Sequence, residues 1–167
     1  YVIIAEKRRE RPREFKKEEY EKSDRPCFFC PGNESMTPPE TGRLGGKKWQ
    51  LRWFPNKFAA VEAAVIFFFR SYNEFYTFSD AYGFHEIIVE TPEHEKQLWV
   101  LGAGEIEKLL GVYANRIHDL GGKPDIKYVA VFKNHGREGG TSIVHSHSQV
   151  IAYNKVPELV RQEVNAS

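Results

Sequence analysis

The spacing of apolar and polar residues changes several times along this 167-residue chain, and each change marks an element. Tyr1-Val2-Ile3-Ile4-Ala5 is a short apolar run that predicts a strand. Residues 6–26 are charged and without period, which predicts irregular chain up to Pro26. Cys27 to Glu40 contains Pro31-Gly32-Asn33 and Pro38-Pro39, a turn-rich loop. Alternation at Gln50 to Phe54 predicts a strand, and Phe58-Ala59-Ala60-Val61 reads as another short one. Ala63 to Ser79 is aromatic-rich and fits neither period. Phe84 to Glu90 predicts a strand, and Thr91-Pro92-Glu93 reads as a helix start because proline suits the first turn. From Glu105 onward, Ile106, Leu109, Leu110, Val112, Tyr113 and Ile117 fall at helical spacing until Leu120-Gly121-Gly122 stops the helix. Lys127 to Lys133 is a strand rich in β-branched residues; a glycine turn follows, then a strand over His145 to Tyr153. Val160-Arg161-Gln162-Glu163 reads as part of an amphipathic helix.

Strands outnumber helices, and the long helix lies between two strands. The expected fold is therefore α+β, with an antiparallel or mixed sheet and the long helix packed on one face. The length suits a single domain over residues 1–167, and there is no internal repeat. The abrupt opening strand and the closing helix read as cuts in a longer protein.

Net charge is +1, which gives no general attraction to nucleic acid or to an anionic membrane. The basic residues are uneven, with Lys7, Arg8, Arg9, Arg11, Arg13, Lys16 and Lys17 in one stretch. A solvated charged loop is the default reading of that stretch, and an anion-binding loop the alternative. No apolar run approaches the roughly 18 residues of a membrane span, and no signal peptide is visible, so a cytoplasmic protein is expected. Cys27 and Cys30 are the only cysteines, which is no disulfide framework.

The candidate chemistry lies in Asn134 to Gln149. A glycine-rich turn runs into a segment with His145, His147 and Gln149 at alternate positions. Alternate side chains on a strand share a face, so these groups stand together beside a turn with free backbone N–H groups, a plausible site for chemistry on a phosphate. The bland alternative is a polar edge strand. Cys27-Phe28-Phe29-Cys30 is a two-thiolate knuckle suited to zinc, with a redox dithiol as the rival reading. Without a second cysteine pair, further ligands must be histidine or carboxylate, from among His85, His94, His118, His135, His145 and His147. His118 reads as a structural residue near a helix C-terminus, and His85 receives no role.

Four segments occur in order: Cys27-Phe28-Phe29-Cys30-Pro31-Gly32-Asn33-Glu34, Phe54-Pro55-Asn56-Lys57-Phe58-Ala59-Ala60, Glu90-Thr91-Pro92-Glu93-His94 and His145-Ser146-His147-Ser148-Gln149. Together they resemble the galactose-1-phosphate uridylyltransferase family, a branch of the histidine-triad superfamily, across nearly the whole chain. The family's usual active-site run is His-Pro-His-Pro-His or His-Pro-His-Gly-Gln; here serines stand between the histidines. The resemblance implies that His147 is the nucleophile and that Gln149 hydrogen-bonds the phosphoryl group. It implies one structural zinc ion on Cys27, Cys30, His94 and His145. It implies that Asn134, Gly140, Thr141 and Ser142 hold the nucleotide phosphates, and that Asn56, Arg8 and Arg11 lie around the nucleotide. Family members are about twice this length and are built from two similar halves, of which this chain resembles the first.

The implied activity moves UMP between UDP-glucose and galactose 1-phosphate through a nucleotidyl-histidine, in galactose metabolism, by a homodimer. Alternatives are an ADP-glucose phosphorylase-like adenylyltransferase and a histidine-triad nucleotide hydrolase; a third, without turnover, is a zinc-stabilised binding module. The nucleophilic ring nitrogen must be unprotonated, so the other must give its proton to an acceptor, expected to be a backbone carbonyl of the same strand.

Overall fold

The computed structural model describes residues 26–64, 70–71, 73–136 and 138–166. The expected strand at Tyr1–Ala5 and the basic stretch with Arg8 and Arg11 lie outside the described residues. In chain order the strands are β1 (Gly42–Leu44), β2 (Leu51–Pro55), β3 (Arg70–Ser71), β4 (Thr77–Phe78), β5 (Gly83–Val89), β6 (Tyr128–Phe132) and β7 (His147–Tyr153). The helices are α1 (Ala103–Gly121) and α2 (Glu158–Ala166), with 3₁₀ turns at Glu34–Met36 and Leu98–Val100. Five strands form one sheet in the order β1-β2-β5-β7-β6, and β3 and β4 pair separately. Every strand pair is antiparallel. The α+β expectation holds, with the sheet antiparallel rather than mixed.

The sheet has two differently used faces, and the period of two assigns residues to them. One face carries Leu51, Ile88, Val150 and Ala152 against Leu109, Val112 and Leu120 of α1, forming the main core. Those helix residues lie on one side of α1 at the spacing the sequence predicts. Arg116 adds a buried fork on the same side. Its Nε and Nη2 donate to Glu86 Oε2 and Oε1 of β5 at 2.8 and 3.0 Å. The opposite face carries Phe54, Ile87 and Val89, which pack with Phe29 and Trp49 under the cysteine loop.

Three local expectations need correction. Thr91-Pro92-Glu93 does not start a helix: Thr91 Oγ1 accepts the Glu93 N–H at 3.2 Å in a local turn, and α1 begins only after Gly102. Glu105 reaches back to the Gly102 N–H at 2.8 Å, satisfying a donor that the helix leaves open. Phe58–Val61 is not a strand, because Asn56 Oδ1 takes the Phe58 N–H at 2.9 Å and bends the chain. The last strand begins at His147; His145 and Ser146 lie just before it, His145 fully buried.

Candidate functional site

The Cys27 loop packs over the face of the sheet opposite α1. Cys30 N–H donates to Cys27 O at 3.3 Å and Asn33 Nδ2 to the same oxygen at 2.8 Å, closing a tight knuckle. Gly32 takes a left-handed conformation (φ 91°) that completes the turn. Arg52 of β2, fully buried, clamps the loop from beneath: Nη2 donates to Phe28 O at 3.2 Å and Nη1 to Thr37 Oγ1 and Glu40 Oε1 at 3.1 and 3.2 Å. Its guanidinium lies 4.9 Å from the Phe54 ring centre and 5.3 Å from that of Trp49.

The knuckle brings Cys27 and Cys30 to His94 and His145, with all four ligand atoms within 4.8 Å of one another. Cys27 Sγ lies 3.7 Å and Cys30 Sγ 3.6 Å from His145 Nδ1, and Cys30 Sγ lies 3.3 Å from His94 Nδ1. A tetrahedral zinc site with ordinary Zn–S and Zn–N bonds has sulfur–nitrogen edges of about 3.5 Å, so these separations fit a metal. His145 is set up for the role. Its Nε2–H donates to Thr91 O at 2.7 Å, which leaves the Nδ1 lone pair facing the sulfurs. Burial lowers the His145 pKa, against the pull of the Thr91 bond, and nearby His94, His147 and Arg52 lower it further. The ring is therefore neutral near pH 7, as a ligand must be. Burial, followed by the adjacent Cys27, pushes the Cys30 thiol up to about 11. Two thiols this close do not both ionise without a cation, and a divalent metal reverses that preference.

His147 and Gln149 project from β7 on the face opposite α1, beside Ile87 and Val89 of β5. His147 Nδ1–H donates to His145 O at 2.8 Å, so Nε2 keeps its lone pair. This is the backbone-carbonyl arrangement expected from the sequence. The Phe29 ring meets the His147 ring edge-on at 5.2 Å, so the knuckle also walls the imidazole. Gln149 is buried, with Oε1 2.9 Å from His85 Nε2. Asn56 approaches the same ring nitrogen, its Nδ2 3.1 Å from Nε2.

The chain from Asn134 to Ser142 forms the turn beside β7. Gly136 and Gly140 have φ of 68° and 72°, and Thr141 N–H donates to Gly136 O at 3.1 Å. A side chain at Gly139 would come 2.4 Å from His135 O, so the close fold of this turn requires glycine. Asn134, Gly140 and Thr141 are half-buried and Ser142 is exposed.

Residue-by-residue reading of the sequence missed a buried network behind the histidines. Glu90, with a fully buried side chain, accepts from Lys133 Nζ at 2.7 Å, from Tyr113 OH at 3.1 Å and from both Ser146 and Ser148 Oγ. Lys133 Nζ also donates to Ser146 Oγ at 2.9 Å and to His147 O at 3.1 Å. Burial pushes the Glu90 carboxyl up, but the hydrogen bonds from Lys133, Ser146 and Ser148 and the Lys133 charge outweigh it and hold the pKa below its ordinary value. The signal was present: serines at alternate positions to the histidines must face the other side of the chain, where Glu90 directly follows β5.

Residues 1–157 match the family described as galactose-1-phosphate uridyl transferase, N-terminal domain. The chain is 31% identical over 180 residues to an ADP-glucose phosphorylase of Arabidopsis thaliana, covering 100% of this chain and 49% of that protein. It is 29% identical over 168 residues to a galactose-1-phosphate uridylyltransferase of Haemophilus influenzae, covering 98% and 46%. A crystal structure of ADP-glucose phosphorylase from Arabidopsis thaliana with bound ADP-glucose aligns at a TM-score of 0.71 and 30% identity, over 86% of this chain and 45% of that one. A histidine triad protein from Clostridium difficile aligns at 0.51 and 16% identity, over 79% and 94%, a likeness of fold alone. The chain thus spans about half the length of the curated relatives it matches.

Proposed function

The chain belongs to the galactose-1-phosphate uridyl transferase family, and from that premise we propose that it carries a nucleotidyltransferase centre moving UMP between UDP-glucose and galactose 1-phosphate. In this reading the described residues form one histidine-triad-like domain corresponding to the family's N-terminal domain. The observation that carries it is the tautomer of His147. With Nδ1–H held by His145 O at 2.8 Å, Nε2 carries the lone pair that a nucleophile needs.

His147 Nε2 attacks the α-phosphorus of the nucleotide sugar. A P–N bond forms, the P–O bond to the sugar phosphate breaks, and hexose 1-phosphate leaves with the electron pair. A phosphate oxygen of the second hexose 1-phosphate then attacks the same phosphorus and the P–N bond breaks, restoring the neutral ring. Gln149 donates to the phosphoryl oxygens as charge builds there, with the Gly140-Thr141-Ser142 turn beside the phosphates, Asn134 at the head of the turn and Asn56 nearer the nucleoside. Arg8 and Arg11 supply positive charge for the phosphates.

Cys27, Cys30, His94 and His145 would hold one zinc ion with no open position, so it ties the knuckle to the catalytic strand rather than meeting substrate. Free thiols serving as metal ligands suit a reducing compartment, which supports the cytoplasm. A homodimer belongs to the same reading, and sedimentation of the protein tests it.

One observation favours adenylyl in place of uridylyl transfer: the 31% identity to an ADP-glucose phosphorylase spans the whole chain. Incubation with UDP-glucose and, separately, ADP-glucose decides. After a quench at neutral pH, which spares the acid-labile P–N bond, peptide mass spectrometry should find a nucleotide on His147. UMP supports the first reading and AMP the second. A nucleotide on another residue, or on none, refutes the assignment. Adding hexose 1-phosphate, inorganic phosphate or water alone to the labelled protein then separates transferase, phosphorylase and hydrolase.

A further inference from the structure

His85 and His145 are the buried histidines of the described residues, and His85 lies outside the metal cluster. Its surroundings fix its proton. The Ala60 backbone N–H, which can only donate, points at Nδ1 at 3.1 Å. Nδ1 therefore holds a lone pair, and the proton of the neutral ring is on Nε2. Nε2 faces Gln149 Oε1 at 2.9 Å and Asn56 Nδ2 at 3.1 Å. Asn56 is no acceptor there, because its Oδ1 is turned to the Phe58 N–H at 2.9 Å and its NH₂ faces the ring. Gln149 Oε1 takes the ring proton.

We infer that His85 is a positioning residue for nucleotidyl transfer: the relay from Ala60 N–H through the His85 ring to Gln149 Oε1 locks the Gln149 amide so that its NH₂, not its carbonyl, is the end offered to the phosphoryl group. The inference rests on the role proposed for Gln149. An amide without the lock can rotate half a turn about its last bond, and its carbonyl lone pairs then face phosphoryl oxygens of like charge. The lock removes that unproductive rotamer before substrate arrives. The same ring holds Ala60 and approaches Asn56, so the lock joins Gln149 to the segment after β2.

Two substitutions separate hydrogen bonding from space filling. His85→Phe keeps a ring but removes both nitrogens, and should lower kcat by about 10- to 100-fold, less than the roughly 10²–10³ of losing an oxyanion donor outright because Gln149 remains, with KM changed less than about threefold. His85→Gln offers an amide N–H near the position of the ring donor and should restore kcat to within about fivefold of the unaltered protein. Full activity of His85→Phe, or equal loss in both variants, overturns the inference. The ring tautomer is read independently by ¹⁵N NMR of the unaltered protein, which also decides if either variant fails to fold. A protonated Nε2 and bare Nδ1, with the Nε2 resonance moving in Gln149→Leu, is the expected result. A protonated Nδ1, or an Nε2 resonance indifferent to Gln149→Leu, overturns the lock. Because this readout needs no turnover, failure of every nucleotide sugar to label the protein would sink the proposed function and leave the lock to be judged by the spectrum.

Discussion

Lys133→Met is the most searching perturbation of the scaffold behind the site. Methionine matches the lysine stem but removes the ammonium that reaches Glu90 at 2.7 Å, Ser146 Oγ at 2.9 Å and His147 O at 3.1 Å. Stranding one partner of a buried pair costs about 3–5 kcal/mol. Glu90 has an escape, which is to take up a proton. Protonating a carboxyl of ordinary pKa near 4.3 costs about 3.7 kcal/mol at pH 7 and about 1 kcal/mol at pH 5, so the loss is capped near those values. Against a total of roughly 5–15 kcal/mol for a domain, the pH 7 loss is severe. The sign of the pH dependence should also reverse. In the unaltered protein the folded Glu90 pKa is depressed, so its contribution is present above the unfolded carboxylate value and is lost as pH falls through the folded one. In Lys133→Met the folded pKa is raised above the unfolded value, so the deficit grows as pH rises from about 5 to 7, by up to about 1.4 kcal/mol per unit. Urea titration followed by fluorescence of the three tryptophans, of which Trp49 is buried, measures both quantities. Lys133→Met/Glu90→Gln should recover much of the loss. A single-variant deficit below about 1 kcal/mol at pH 7, or one unchanged between pH 5 and 7, refutes a desolvated carboxylate held by one cation.

Other outcomes follow from the site. His147→Ala should abolish nucleotidyl transfer while its unfolding midpoint stays close to that of the unaltered protein, because the ring is only half-buried; retained turnover removes it as the nucleophile. Cys27→Ala should lower zinc content and thermal midpoint together, and full zinc occupancy in that variant would dismiss the ligand set. Zinc added to metal-free protein at pH 7 in weak buffer should release protons, because the Cys30 thiol, raised to about 11, must ionise to bind; a proton-neutral titration contradicts this.

What the sequence disclosed depended on whether a signal was local. α1 was legible because its apolar residues repeat at the helical period, and β5 and β7 because each holds a short run of consecutive apolar residues, as a strand buried on both faces does. The cysteine knuckle was legible because both thiols fall within four residues. His94 as a ligand came from resemblance, and local reading misjudged its segment: Thr91-Pro92-Glu93 has helix-start chemistry, yet the chain there follows Thr91 O to the His145 ring and His94 to Cys30. Phe58–Val61 failed for the same reason, since a distant histidine supplies the acceptor for Ala60 N–H. Arg52 looked like an ordinary strand residue; its full burial under the knuckle depends on a loop twelve or more residues away.

The serines between the histidines have two sides to their role. Seen from the substrate side alone, Ser146 and Ser148 are neutral replacements, because alternate positions do not face the phosphates. Seen from α1, they are half of a buried polar unit. An uncompensated Glu90 at full burial would be a liability, and a serine pair without the carboxylate would bury hydroxyls with fewer partners. The two features therefore require each other, and Lys133 ties both to the His147 carbonyl. The hydrogen bond from His147 Nδ1 to His145 O needs the backbone of 145–147 held in one orientation. The Cys27, Cys30, His94 and His145 cluster meets that backbone at His145, and the Glu90 unit holds it from behind at Ser146, His147 and Ser148. Ser146→Ala/Ser148→Ala should accordingly reduce kcat more than zinc affinity, because it loosens the strand beyond the metal ligand. A double variant that loses zinc and keeps its kcat when zinc is saturating would show that the metal alone orients the nucleophile.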